Sequence, residues 1–213
     1  QRVTLPPSVV LPSAEPSAPF STTNLQEAGV DEPDLVKSDG RAVYTFAYAT
    51  NGWWPITVVR VAQVGNDGAT FAVRGSVTLA GASDYPIAKA GLFLADGTLV
   101  SVTGTQPSAY FGPLLPATTS GSWMNGKTYI ELLSTATSDL PVSRWRAEID
   151  GHLVASRRIG QRLFVVSRFV PYLPGLVYGA TNPSSIAANQ QLLANTPLAA
   201  LLPKARINGG TGT

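Results

Sequence analysis

Three times along this chain of 213 residues, a strand-like apolar stretch runs into a glycine turn and out into another strand-like stretch. The first is Leu35-Val36-Lys37, Ser38-Asp39-Gly40, then Ala42–Tyr48. The second is Ile87–Leu94, Ala95-Asp96-Gly97, then Thr98–Val102. The third is His152–Ser156, Arg158-Ile159-Gly160-Gln161, then Arg162–Phe169. Side-chain alternation of period two, closed by an Asp-Gly or Gly-polar pair, is the local signature of a β-hairpin. The turn glycines Gly40, Gly97 and Gly160 are 57 and 63 residues apart. A hairpin that reopens at such intervals marks a chain built from repeats.

The residues between the restarts extend each hairpin into a meander. Ile56–Val64 is rich in β-branched residues and ends at Gly65-Asn66-Asp67-Gly68, a turn cluster. Thr70–Leu79 alternates again and ends at Ala80-Gly81. With the first hairpin, these segments make one blade-sized antiparallel sheet. Lys127–Leu133 and Trp145–Ile149 do the same for the second restart. Near the end the pattern changes. Asn182-Pro183-Ser184-Ser185 reads as a helix start and Ala187–Asn195 as its body. Thr196-Pro197 predicts a second short helix through Leu202, stopped by Pro203, and Arg206–Gly210 predicts a return to strand.

The fold class read from this pattern is all-β: β-propeller blades of antiparallel meanders, forming an incomplete ring, with a short helical insert at about 183–203. Residues 1–21, which carry Pro6, Pro7, Pro12, Pro16 and Pro19, read as an extended N-terminal segment. Residues 22–213 read as the N-terminal portion of the propeller. The pattern supplies two blades and the first hairpin of a third, whereas rings close with about four to eight. The remainder is therefore expected from the same precursor or from a second chain. A self-contained β-sandwich is the alternative.

Composition removes several function classes. The chain has no Cys, which excludes thiol catalysis, zinc–thiolate sites and iron–sulfur ligation. Charged residues make up 13%, about half the usual share, which suits an extracytoplasmic β protein. The net charge is +2, and the basic residues Arg144, Arg146, His152, Arg157, Arg158, Arg162 and Arg168 are spread over strands. They form no basic stripe, so a nucleic-acid partner is not expected. No apolar run is long enough to span a membrane. The sequence opens at Gln1 without an apolar leader, as a processed N-terminus would.

The stretch Asn24–Gly40, NLQEAGVDEPDLVKSDG, resembles the opening motif of bacterial and archaeal secreted proteins with a C-terminal β-propeller domain, distantly WD40-like. Further matches are Ser156–Gly160 with its following strand, Pro171-Tyr172-Leu173-Pro174-Gly175, Thr196-Pro197-Leu198 through Leu202-Pro203, and Asn208-Gly209-Gly210. Together they span most of residues 22–210, while Trp53–Trp123 is read from pattern alone. The resemblance implies a propeller, export, and a membrane-tethered or cell-surface location. It also implies that this chain covers only the N-terminal part of the family domain. It transfers no catalytic residue.

Candidate sites are few. Glu27, Asp31, Glu32, Asp34 and Asp39 place five carboxylates within 13 residues. The first four are candidate oxygen ligands for Ca²⁺, although their spacing does not match an EF-hand. The competing reading is structural, with these acids capping turns and Asp39 serving the hairpin. Otherwise no cofactor is expected. His152, next to Asp150 and Gly151, reads as a turn or strand-edge residue rather than part of a triad. Trp53, Trp54, Tyr110, Phe111 and Trp123 are candidates for a face that binds protein or carbohydrate, with core packing as the competing role. Asp84, Asp96 and Glu131 are the acids left over for glycosidase-like chemistry. No phosphate loop, dinucleotide fingerprint, nucleophile elbow or zincin motif occurs.

The expected function is an extracytoplasmic binding or scaffold module, secreted, periplasmic or tethered at the cell surface. The rivals are a carboxylate-based hydrolase or lyase with a channel site, with or without Ca²⁺, and a subunit completed by a partner chain. Acids converging on the channel favour the enzyme; an apolar lining favours binding.

Overall fold

The computed structural model describes residues 30–51, 54–82, 87–105, 126–136, 140–208 and 210–212. The Pro-rich segment 1–21 lies outside them. The first strands are β1 (Val30–Asp31), β2 (Val36–Ser38), β3 (Ala42–Asn51), β4 (Trp54–Val64) and β5 (Phe71–Thr78). Then come β6 (Ile87–Ala95), β7 (Thr98–Thr105), β8 (Lys127–Ser134) and β9 (Val142–Asp150). The last are β10 (His152–Ile159), β11 (Arg162–Arg168), helix α1 (Pro183–Ala194), β12 (Ala205–Ile207) and β13 (Gly210–Gly212).

These strands form three sheets. Sheet 1 is the meander β2-β3-β4-β5. Sheet 2 runs β6-β7-β8-β9 and continues outward into β12-β13. Sheet 3 is β1-β10-β11. Each of the three expected glycine turns closes the first hairpin of its own sheet, and each glycine has positive φ: 80° at Gly40, 72° at Gly97 and 57° at Gly160. Asp96 precedes Gly97 with φ 46° between the paired residues Ala95 and Thr98. Two consecutive positive φ values define the tight hairpin turn whose twist matches its strands, and Asp-Gly tolerates both.

The core lies between sheets. Tyr44, Phe46, Val59, Val61 and Leu79 of the first unit pack on Leu92, Leu94, Leu99 and Leu133 of sheet 2. Phe93, Val102, Ile130 and Ala147, on the other face of sheet 2, pack on Leu153 of sheet 3. Sheet 2 is thus buried on both faces, which explains why Leu92-Phe93-Leu94 is continuously apolar rather than alternating. Sheets 1 and 3 flank it on either side. Their outward faces expose Val36, Phe71 and Val73 on one side of the stack, and Ile159, Phe164 and Val166 on the other. The described sheets do not close into a ring, and they are not a two-sheet sandwich.

Val30–Ser38 ties the three sheets together. β1 pairs with β10. Asp34 and Leu92 then exchange both backbone hydrogen bonds, at 3.2 and 2.7 Å. β2 finally pairs with β3. One nine-residue strap therefore meets the edge strands of sheets 3 and 2 and becomes the edge of sheet 1. Gly91 permits this approach, because a Cβ there would overlap the Cβ of Pro33.

In the first turn, Asp39 accepts from the backbone N–H of Arg41 (2.9 Å) and Ala42 (2.8 Å) and from the Tyr44 hydroxyl (3.1 Å). Burial, and then the Asp39 charge, push the Tyr44 phenol up from 10.0 to about 12. A raised folded-state pKa contributes stability that is complete below the unfolded value and is lost as pH rises through the folded one. Urea midpoints are therefore expected to fall between pH 10 and about 12. Tyr44→Phe should lack that limb; an unchanged alkaline profile in the variant would refute the assignment.

The tail departs from expectation in one place. α1 begins as read, with Asn182 Oδ1 accepting from the Ser185 N–H at 2.7 Å and Pro183 in the first turn. The second helix is only a 3-10 turn at Leu198–Ala200. Pro197 and Pro203 leave too few residues between them for an α-helical ladder. The expected return to strand is β12, which pairs with β9 at the outer edge of sheet 2. No helix among the described residues is long and apolar enough to cross a membrane.

Candidate functional site

The three sheets converge on a cleft of about 630 Å³ beside the strap. Leu35, Phe46 and Tyr48 line it from sheet 1, Lys89 from β6, and Leu153 and Arg157 from β10. Its floor is apolar and aromatic. Phe46 and Tyr48 meet edge to face, ring centroids 5.9 Å apart. β10 is paired with β1 only at Arg158 and Ile159, so its edge from Leu153 to Arg157 borders the cleft. That edge is guarded: Lys89 Nζ donates to the Val154 carbonyl, and Arg157 Nη1 donates to the Ser156 carbonyl at 2.8 Å. Cations on open strand edges discourage pairing with another chain. Among the described residues no carboxylate lines this cleft.

The acidic segment sits behind the cleft as part of the strap. Lys37, 1% exposed, holds Asp31 at 3.0 Å and Asp34 at 2.9 Å. Asp31 also takes Arg158 at 3.2 Å, and Glu32 takes Arg157 at 3.0 Å. Three of the four carboxylates proposed as Ca²⁺ ligands are thus engaged by side-chain cations, and Glu27 lies outside the described residues. Among the described residues no group of three or more His, Asp and Glu is arranged to hold a metal ion. The ion pairs join the strap to β10, a link between residues 127 positions apart in the case of Asp31 and Arg158.

The other predicted residues are scattered. Asp96 occupies a hairpin turn and Asp84 lies outside the described residues. Glu131 is 1% exposed and committed: its Oε2 accepts from the Ala80 N–H at 2.7 Å and its Oε1 from Arg146 Nε at 2.7 Å. His152 opens β10 opposite Arg168, while Asp150 Oδ2 accepts from the Lys204 N–H at 3.1 Å. Trp54 opens β4 opposite Asn51; Trp53, Tyr110, Phe111 and Trp123 lie outside the described residues. The aromatics at the cleft, Phe46 and Tyr48, were missed by the sequence reading. Their signal was the alternation Tyr44-Thr45-Phe46-Ala47-Tyr48 running past the end of a buried stripe. Lys37 went unread as well; its signal was a lone charge inside an apolar strand, and Glu131, read only as a leftover acid, carried the same signal.

A family model described as Beta propeller domain matches residues 20–213. No curated protein and no solved structure matches the chain.

Proposed function

The chain belongs to the β-propeller domain family, and from that premise we propose that it is an extracytoplasmic binding module whose ligand occupies the cleft between β3, β6 and β10. Propeller domains serve broadly as binding and scaffold modules, presenting ligand surfaces on rigid blades. The cleft lining supports the reading: apolar and aromatic side chains at the floor, Lys89 and Arg157 at the rim, and no acid among the described residues. A floor of this kind suits a partner-protein segment bearing apolar side chains. A carbohydrate site would need broader stacking surface than Tyr48 offers. Of the acids left over for hydrolase chemistry, Glu131 has both oxygens engaged.

The exposed apolar side chains on the outer faces of sheets 1 and 3 support completion of the ring by further blades, from the same precursor or a second chain. The low charged fraction of 13% supports a place outside the cytoplasm, secreted or at the cell surface. Peptide and glycan arrays probed with the wild-type protein and with Tyr48→Ser and Leu35→Ser test the site. Retention on apolar peptides that both variants lose is the expected result. Variants that bind like wild type, or retention on glycans alone, overturn it. Fractionation of the native cells tests location, and recovery in the cytosol overturns that part.

A further inference from the structure

A second groove, of about 550 Å³, lies on the side of sheet 2 that faces sheet 1. One wall is the Ala80–Gly81 turn; the other is built from β9 and β12 and presents Arg144, Arg146 and Arg206. The volume falls within the usual range of small-ligand sites, about 300–1,000 Å³.

The three guanidinium groups arrive by different routes. Arg146 is anchored through Nε, which donates to the buried Glu131 at 2.7 Å and to Ser143 Oγ at 3.1 Å. Its two terminal nitrogens have no partner among the described residues. Arg206 uses Nη1 for Glu148 at 2.6 Å and leaves the rest of its fork unengaged. Arg144 is exposed and makes no hydrogen bond or ion pair among the described residues. The assembly depends on β12 docking back on β9. Arg146 donates its backbone N–H to Asn208 Oδ1 at 2.9 Å, and Asn208 donates its own N–H to the Arg146 carbonyl at 2.8 Å. This reciprocal clamp places Arg206 beside residues 60 positions earlier in the chain.

The local charge is unbalanced. Among the described residues, Arg144, Arg146 and Arg206 stand against two carboxylates, Glu131 and Glu148, while Lys127, which shares Glu148, lies opposite Asp150. Burial pushes the Glu148 carboxyl up, but the Lys127 hydrogen bond and the Lys127 and Arg206 charges outweigh it and hold it below the ordinary 4.5. Both acids are thus already committed, and among the described residues Arg144 is left without a carboxylate. Planar guanidinium forks with free N–H donors match oxyanions in bidentate geometry.

We propose that this groove binds a small polyanion whose carboxylate or phosphate groups bridge Arg144, Arg146 and Arg206. The test is isothermal titration of the protein at low salt with citrate and with inorganic pyrophosphate, and with acetate as the monovalent control. Citrate, pyrophosphate or both should bind at least about tenfold more tightly than acetate, the preferred probe identifying the oxyanion class. Arg144→Ala and Arg206→Gln should each weaken that binding about tenfold, and Arg144→Lys should restore only part of it. Arg162→Ala, at the β10–β11 turn, should leave it unchanged. Arg144 has no partner to lose, so its variant keeps the wild-type fold, checked by near-ultraviolet circular dichroism. The proposal falls if neither probe binds at concentrations on the order of 10 mM. It also falls if Arg144→Ala binds like wild type, or if Arg162→Ala weakens binding as much.

Discussion

Lys37→Ala is expected to lower the unfolding free energy by about 3–5 kcal/mol, read as a fall in the urea midpoint. The ammonium is 1% exposed and lies 3.0 Å from Asp31 and 2.9 Å from Asp34. Removing it leaves two carboxylates facing each other in a partly desolvated site, with Arg158 serving only one of them. Deleting the stem adds the cost of a cavity. Lys37→Met separates the two contributions, since it keeps most of the stem and drops the charge. The damage should spread beyond sheet 1, because the strap joins all three sheets. Amide exchange at β10, opposite β1, should therefore accelerate together with that at Leu92. A loss below about 1 kcal/mol, the range of solvated pairs, would show that the strap charges are not coupled to the fold.

Glu131→Ala is expected to cost about 2–4 kcal/mol. The residue joins sheet 2 to the turn that leaves sheet 1, accepting from the Ala80 N–H at 2.7 Å. Arg146, its other partner, has a side chain 51% exposed, so that ion pair by itself contributes little. Most of the loss arises from the orphaned Ala80 N–H and the vacated buried volume. Glu131→Gln keeps an acceptor for Ala80 and should cost only about 1 kcal/mol. Equal losses in the two variants would reverse this ranking and make the charge the dominant contribution.

The features legible beforehand share one physical property: their causes lie within a few residues. Asp96-Gly97 closes a hairpin because adjacent residues tolerate positive φ. Asn182 starts a helix because its side chain reaches the N–H of Ser185 three residues on. The meander of sheet 1 follows from period-two alternation and the turn clusters between its strands. What stayed illegible involves long-range partners. The acidic segment was offered as a cation site, and cations do meet it, but they are Lys37, Arg157 and Arg158. Arg157 and Arg158 come from β10, more than a hundred residues away, and no local pattern pairs them with the strap. β12 returns to a sheet as its residues predict, but nothing local names β9 as its partner.

Strand content, hairpin order and the existence of repeating sheets were therefore written in the residue order itself, because backbone sterics and turn chemistry act locally. Which sheet edges the strap joins, which face of Glu131 meets Ala80, and which arginines share a groove arose only on packing. Those outcomes depend on burying the apolar faces of separate sheets together, and burial is nearly indifferent to distance along the chain.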